Sequence, residues 1–321
     1  MKVSVVIPVD RPGEDSRRAI AAVLGQKTTA EFELILVTAS DIIVPEDRRI
    51  RMINVPDRNP AVRRNLGAKE ATGDVLAFVD DDAFADEGWI ETATAYLEAN
   101  PDAVVVGGPD PAPSDSTLGE LISETLLATP FIGSGVLVHE NRKGVRNVQA
   151  PFDLALVNLF VRTAAFRDAG GFDEKIGYVG EDTDLLNRLM GKGRVVYHSG
   201  TVVRHRRRSF PGPFLRQRWN YRKKTGAMLA RRGSPYRSSL KVLLFLLAGF
   251  LFIVSVVLAP FLGASLLVFY SVMTLILALP ITRLPFWMWP LIPLFFLVHH
   301  ATYFFGLVYG LASAVGKGPS P

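Results

Sequence analysis

Val75-Leu76-Ala77-Phe78-Val79-Asp80-Asp81-Asp82 is the stretch on which the reading of this chain turns. Five apolar residues run without a break into three carboxylates. A run this short and this apolar fits a central strand buried on both faces, and the acids mark where it stops. Ligands of open α/β sheets bind beyond the carboxyl ends of the strands, which is where Asp80–Asp82 would lie. Adjacent carboxylates repel, so ionising all three is costly. A divalent cation relieves that cost, and hard oxygen ligands favour magnesium or manganese. The same ion can neutralise a diphosphate leaving group. A solvated acidic turn, or a helix cap before Phe84, would use the same residues.

The flanking sequence repeats the alternation of strand and helix. Val3–Val9 and Glu33–Val37 read as buried strands, and Ile50–Val55 as a third, short one. Ser16–Leu24 has one apolar face. Pro60–Ala71 carries proline near its start and Gly73 past its end, the expected helix punctuation. Glu87–Glu98 reads as a helix and Ala103–Gly107 as a strand closed by Gly107-Gly108-Pro109. The fold class is therefore α/β, with a mostly parallel sheet. Thr117–Leu127 suits an amphipathic helix, and Phe131–Val138 is apolar but broken by glycine, a loop-rich segment on the acceptor side.

Charge divides the chain more sharply than its net +5 suggests. Residues 1–200 hold all 31 acids against 21 Lys/Arg, a net of −10. Residues 201–241 hold 13 Lys/Arg and no acid, and the last 80 residues only Arg283 and Lys317. That apolar tail predicts three membrane spans, 240–259, 261–279 and 285–314, each near the ~20 residues a crossing needs. Trp287 and Trp289 stand like interfacial aromatics. The basic collar beside it points to an anionic membrane surface, not to nucleic acid. By the positive-inside rule it places the first 208 residues in the cytoplasm, Arg283 on the same side and Lys317 beyond the membrane. With no cysteine there is no disulfide, zinc thiolate or cysteine nucleophile. Met1–Pro8 reaches Asp10 too soon for a secretory signal and reads as a strand.

Two further constellations carry chemistry. Gly177–Leu185 places Glu181, Asp182 and Asp184 ahead of an apolar helix pattern. The helix dipole favours acids there, and a carboxylate on a pocket rim can also take a proton from a hydroxyl. His205, followed by Arg206, Arg207 and Arg208, offers a metal ligand and guanidinium groups for a diphosphate, or for the membrane surface.

In order, these pieces resemble the family 2 glycosyltransferases. Ser4–Pro8 is similar to the opening strand, and Arg63–Ala68 with Ala71-Thr72-Gly73-Asp74 to the donor-side helix. Phe78–Asp82 is similar to the DXD metal motif, Asn158 with Ala169–Glu174 to the acceptor-side GGFDE segment, and Glu181-Asp182 to the ED motif. His205 matches a histidine after the next strand. The resemblance covers roughly residues 3–208 and implies a GT-A domain there, a basic juxtamembrane segment at 209–239 and a membrane region at 240–321.

It further implies Asp182 as general base and Asp82, Asp80 and His205 as ligands of Mg²⁺ or Mn²⁺. Pro8, Asp41, Arg64, Asn65, Asp80 and Asp81 would line the nucleotide-sugar site, and Asn158, Gly171, Phe172, Glu181 and Trp219 the acceptor site. Two positions depart from the pattern. Thr38 stands where a base-reading acid is expected, with Asp10 or Asp41 to replace it, so UDP, GDP and dTDP sugars stay open. Gln217-Arg218-Trp219 lacks the spacer of the processive Q-x-x-R-W motif, which implies single transfers. The expected protein is a plasma-membrane inverting transferase acting on a lipid-linked acceptor. A polyprenyl-phosphate sugar synthase and an inactive sugar-binding membrane module are the alternatives.

Overall fold

The computed structural model describes residues 1–10, 12–131, 139, 143–176, 180–229 and 240–315. Phe131 begins a segment expected as an acceptor-side loop; 132–138 of it, and 177–179 of the ED stretch, lie outside the described residues. The chain divides into two compact units: Met1–Asp115 with Gly135–Arg206, and Ser116–Ser134 with Arg207–Pro321.

Unit 1 is built on an eight-stranded sheet. In chain order its elements are β1 (Val3–Val9), α1 (Glu14–Leu24), β2 (Phe32–Thr38), β3 (Ile50–Asn54), α2 (Pro60–Glu70), β4 (Val75–Phe78), β5 (Ala83–Ala85), α3 (Trp89–Ala99) and β6 (Ala103–Gly107). The second unit contributes α4 (Leu118–Ala128). Unit 1 resumes with β7 (Val145–Asn147), β8 (Leu159–Arg162), α5 (Thr163–Asp168), α6 (Glu181–Met190), β9 (Arg194–His198) and β10 (Val203–His205). The sheet order is β3-β2-β1-β4-β8-β6-β9-β7, with β8 and β7 running against the other six.

Strand periodicity explains the two cores. Val3, Val5, Ile7 and Val9 join α1 and α3 residues such as Ile20, Trp89 and Leu97 in one cluster. Val6, Ile35, Leu76 and Phe78 join Ala61, Ala68, Leu185 and Leu189 of α2 and α6 on the other face. Successive side chains point to opposite faces, so strands covered on both sides must be apolar throughout. α2 starts at Asn59, whose side chain accepts the Ala61 N–H at 3.0 Å, with Pro60 as its first residue.

The strand ends place the site. β4 pairs with β1 only from Val3↔Val75 to Val6↔Phe78, while β1 continues beside β2 to Val9. β4 has no residue opposite Pro8, so a proline with no N–H leaves no bond of that pairing unmade. Beyond Phe78 the chain turns through Asp80–Asp82, closed by Ala83 N–H to Asp80 O at 3.2 Å. It then forms a two-stranded antiparallel ribbon, β5 with β10, in which Ala83 faces His205.

Unit 2 holds α4, α7 (Gly212–Leu229), α8 (Leu240–Leu258), α9 (Pro260–Ala278), a 3₁₀ turn at Phe286–Leu291 and α10 (Ile292–Val315). Thr117 and Glu120 close a capping box on α4. Pro260, which lies between the expected spans 240–259 and 261–279, is the first residue of α9, where its missing N–H costs nothing. Pro260–Ala278 and Phe286–Ala314 are long and apolar enough to cross a membrane, and Val242–Leu258 is a shorter apolar helix.

Gly67 lets α2 lie directly on β1, since a Cβ there would collide with the Val6 side chain. Gly67→Ala should therefore destabilise the chain by about 1–3 kcal/mol, the usual cost of overpacking. A denaturant midpoint equal to that of the parent would show that α2 has room there.

Candidate active site

The three aspartates of the strand-end turn point to three different partners. Asp80 Oδ1 takes a 2.7 Å hydrogen bond from Arg64 Nη2. Asp81 Oδ2 accepts the backbone N–H of Asp10 at 2.8 Å, so it fastens the end of β1. Asp82 Oδ1 lies 3.4 Å from His205 Nε2. The repulsion expected of adjacent carboxylates is relieved by spreading them over different neighbours.

Arg64 is the hub. It is buried, and its Nη1 lies 3.4 Å from Glu181 Oε1 in the first turn of α6. One guanidinium thus joins the end of β4 to the start of α6, with Asp182 next in the chain. Burial, reinforced by the charge of Asp182, pushes Glu181 up to about 6, although Arg64 works in the opposite direction. Burial also raises Asp182, opposed by the 2.6 Å hydrogen bond from Thr183 N–H and by Arg64. Arg63 is buried beside it, donating to Val9 O at 2.9 Å and to Asp57 O at 2.7 Å. Arg63 Nη2 and Arg64 Nε are buried without a hydrogen-bond acceptor among the described residues.

His205 reaches the turn through the β5–β10 ribbon, and Arg206 N–H donates to Asp82 O at 3.2 Å. Atoms of Asp80, Asp82 and His205 come within 4.8 Å of one another. Two carboxylates and an imidazole are a donor set that can hold Mg²⁺ or Mn²⁺. The other ring nitrogen, Nδ1, is 3.7 Å from Oδ2 of Asp110, which is almost fully buried. Asp110 Oδ1 lies 2.7 Å from His139 Nδ1. A carboxylate behind a ligating histidine fixes the ring and its tautomer.

The other expected site residues separate into groups. Asn65 clamps the GGFDE loop to α2: its Nδ2 donates to Phe172 O, and its Oδ1 accepts Phe172 N–H, each at 2.9 Å. Gly171 has φ +69°, and a Cβ there would come 2.8 Å from Asn65 Oδ1. Phe172 is buried edge-on to Phe78 at 5.3 Å, and so belongs to the core beneath Arg64. Asn158, expected at the acceptor site, lies in the core. It is 0% exposed, takes Trp89 Nε1–H at 2.8 Å and donates to Pro109 O and Thr201 O. Pro8 is buried within β1, and Asp41 is exposed on the loop after β2. Trp219 belongs to unit 2, where its ring packs on Tyr309 at 5.8 Å.

Comparison with known proteins decides the family. The profile for Glycosyl transferase family 2 matches residues 4–150, and that for Glycosyl transferase family group 2 matches residues 127–309, more than half the chain. The chain belongs to the family 2 glycosyltransferases. Among its relatives is the glucosyl-dolichyl phosphate glucuronosyltransferase of Haloferax volcanii, 29% identical over 64% of this chain and 69% of that one. The pre-mycofactocin glycosyltransferase of Mycobacterium tuberculosis is also 29% identical, over 64% of this chain and 43% of its own length. This glycosyltransferase thus spans less than half of the latter relative. A crystal structure of S. aureus TarS 1–349 aligns with 99% of this chain and 92% of that one at TM-score 0.47 and 14% identity.

In this glycosyltransferase, Asp110 and Arg63 were not singled out as site residues by sequence. Asp110 follows a Gly-Gly-Pro turn signal and carries no motif of its own; Arg63 was visible only as a neighbour of Arg64. Asp110→Asn should weaken Mn²⁺ binding by about 10- to 100-fold, the usual cost of losing an outer partner of a ligand. Titration of the purified protein with Mn²⁺, followed by electron paramagnetic resonance, measures it. Unchanged affinity would reduce Asp110 to a packing role.

Glu181 gives a pH signature. Its folded pKa is raised above the ordinary glutamate value of 4.5 to about 6. The folded state therefore holds the proton more tightly, and stability is lost as pH rises through this window. Glu181→Gln should raise the stability of the chain at pH 8 by up to ~2 kcal/mol, at 1.36 kcal/mol per pKa unit. The difference should vanish near pH 4, where both side chains are neutral. Melting curves of the two proteins across that range would test it; a gain largest at low pH contradicts the assignment.

Proposed function

We propose that unit 1 transfers one sugar from a nucleotide-diphosphate sugar to a lipid-linked acceptor, inverting the anomeric carbon. The observation that carries this reading is the joining of Asp80, Asp82 and His205 to Glu181-Asp182 through a single buried arginine. A divalent cation held by Asp80, Asp82 and His205 would supply positive charge to the departing diphosphate. Arg64 keeps Asp80 and Glu181 in register. Arg63 and Arg64 also carry buried N–H groups without acceptors, suited to an anionic donor.

Asp182 accepts the proton of the acceptor hydroxyl as that oxygen attacks the anomeric carbon. Its raised pKa makes it a stronger base than an ordinary aspartate. The bond to the diphosphate breaks as the new glycosidic bond forms, and no covalent glycosyl-enzyme intervenes. The lipid acceptor is supported by the apolar helices of unit 2 and by the relative named for glucosyl-dolichyl phosphate. The basic collar and the cytoplasmic supply of nucleotide sugars support a catalytic unit on the inner face of the plasma membrane.

The test is a panel of UDP, GDP and dTDP sugars, scored for release of nucleoside diphosphate with Mg²⁺, with Mn²⁺ and with chelator. Release from one donor, abolished by chelator, is expected. Equal release with chelator would remove the cation from the proposal, and no release from any donor would favour a sugar-binding module. Asp182→Asn should lose transfer by about 10²–10⁴, the usual worth of a general base, while donor affinity is kept. Equilibrium binding and turnover measured together would separate the two, and collapse of binding alone would make Asp182 a binding residue.

A further inference from the structure

Unit 2 contains a buried polar cluster that the reaction proposed for unit 1 does not use. His299, on α10, is 1% exposed, and neither of its ring nitrogens has a hydrogen-bond partner among the described residues. A neutral imidazole carries one donor and one acceptor, and a protonated one carries two donors. Burying both nitrogens unmet is costly, and native structures rarely do it. The surrounding segment, Phe286–Ala314, is long and apolar enough to cross a membrane, where water would not meet those nitrogens either. An ionisable side chain in such a segment points to function.

α7 brings a second unmet group to the same place. Phe214 and Arg218 stand one turn apart on that helix, so their side chains are neighbours. The guanidinium carbon of Arg218 lies 5.5 Å from the centre of the Phe214 ring, and the His299 ring is also 5.5 Å from it. Arg218 Nε is buried without an acceptor among the described residues. Its Nη2 donates to Gln217 Oε1 at 3.0 Å, and its guanidinium lies 4.9 Å from the centre of the Tyr221 ring. Gln217 is itself steadied, since its Nε2 donates to the Tyr221 hydroxyl at 3.3 Å. These partners are a neutral amide and two rings. Burial pushes Arg218 down to about 10, and the like charge of Arg222 works in the same direction. Arg218 is still charged at neutral pH.

The backbones hold this cluster in place. A Cβ on Gly226 would strike the Leu307 carbonyl, one on Gly310 the Lys223 carbonyl, and one on Gly306 would come 3.0 Å from Arg222 Cβ. Small residues give such close helix packing. Arg222 lies 3.4 Å over the ring of Tyr303, one turn along α10 from His299. A fixed positive charge, a buried N–H in need of an acceptor and an imidazole together suit an anion. A carboxylate offers acceptors only. A phosphate monoester offers three acceptor oxygens and, with a second pKa near ~6, an O–H donor as well. It can therefore meet His299 as donor or as acceptor while accepting from Arg218.

We infer that α7 and α10 form a binding site for a phosphate-bearing anion, held by Arg218 Nε and a ring nitrogen of His299. The site lies wholly in unit 2 and does not rest on the reaction proposed for unit 1. Its apolar surroundings, which include Phe214, Phe296 and Ile292, favour a phosphate carried on a lipid, and the same chemistry would accept the free ion.

The test uses the full chain, purified in the neutral detergent dodecyl maltoside. Equilibrium binding of radiolabelled dodecyl phosphate and of inorganic phosphate is measured, with a melting curve for every variant. Saturable binding of dodecyl phosphate is expected. Arg218→Gln, and His299→Phe, which keeps a ring in the core, should each weaken binding by about tenfold or more, the worth of one hydrogen bond to a charged group. Lys224→Gln removes an exposed charge of α7 and should leave the affinity unchanged. Tighter binding of dodecyl phosphate than of inorganic phosphate would assign the site to a lipid phosphate, and equal affinity would assign it to the free ion. Failure of both probes to bind would overturn the inference. So would equal weakening by Lys224→Gln, which would reduce the effect to the general charge of the helix. Unchanged binding in whichever of the two cluster variants melts like the parent would also overturn it. Release of nucleoside diphosphate is a separate readout, so a chain inactive in that assay can still show this site.

Discussion

Arg64 is the interaction on which the catalytic unit depends. Seven carboxylates, those of Asp10, Asp80, Asp81, Asp82, Asp110, Glu181 and Asp182, belong to the strand-end turn and the segments tied to it. Bringing two of them together in a partly buried space is unfavourable without a cation between them. Arg64 supplies that cation at 2.7 Å from Asp80 and 3.4 Å from Glu181. A guanidinium suits the task because it stays charged when buried and presents its donors in a planar fork. Lysine would bring a single point of charge to the same place.

The position of Arg64 follows from backbone packing. Gly67, one turn further along α2, lets that helix press on Val6, and Arg64 is thereby set beneath the turn at the end of β4. The Asn65 clamp draws the GGFDE loop against the same helix, and Phe172 closes the floor. Two consecutive residues of α2 thus serve different ends: Arg64 organises charge and Asn65 organises backbone. The side proposed for the metal is assembled independently by the β5–β10 ribbon, which carries His205 to Asp82 from more than 120 residues away in sequence.

The sequence disclosed those parts of the fold and site that are local. The apolar run Val75–Val79 and its three acids declared both a buried strand and a strand-end site, and the acids at 181–184 lay in the first turn of a helix with a clear apolar face. What it concealed was tertiary. β5 and β10 are three residues each, too short to show a period. Asn158 stood in a motif and invited a ligand role, yet its amide is consumed by the indole of Trp89 and two carbonyls. Asp110 had no local signal at all; its meaning appears only when β10 runs alongside Pro109 and Pro111 and turns His205 toward it. In the tail, composition revealed three apolar helices but not their neighbours: α10 packs on α8 and α9 through Phe245 and Tyr270 and on the basic α7 through Phe214 and Arg222.

The segregation of charge seen in the sequence gains a physical sense from the two units. Unit 1 holds 29 of the 31 acids and 23 Lys/Arg; unit 2 holds two acids and 13 Lys/Arg. Neither balance is closed internally. The first unit gathers carboxylates and an imidazole at one strand end, a donor set that could hold a divalent cation. The second has two glutamates, one in the capping box of α4 and one 2.7 Å from Arg207, against its 13 Lys/Arg. A protein that had to satisfy both surpluses from its own side chains would need acids after residue 184 and bases at the β4 turn. This chain has no acid after Asp184, and at the β4 turn Arg64 and His205 meet only part of the acidic surplus, so the proposed metal with its diphosphate would complete one half and the headgroup layer the other.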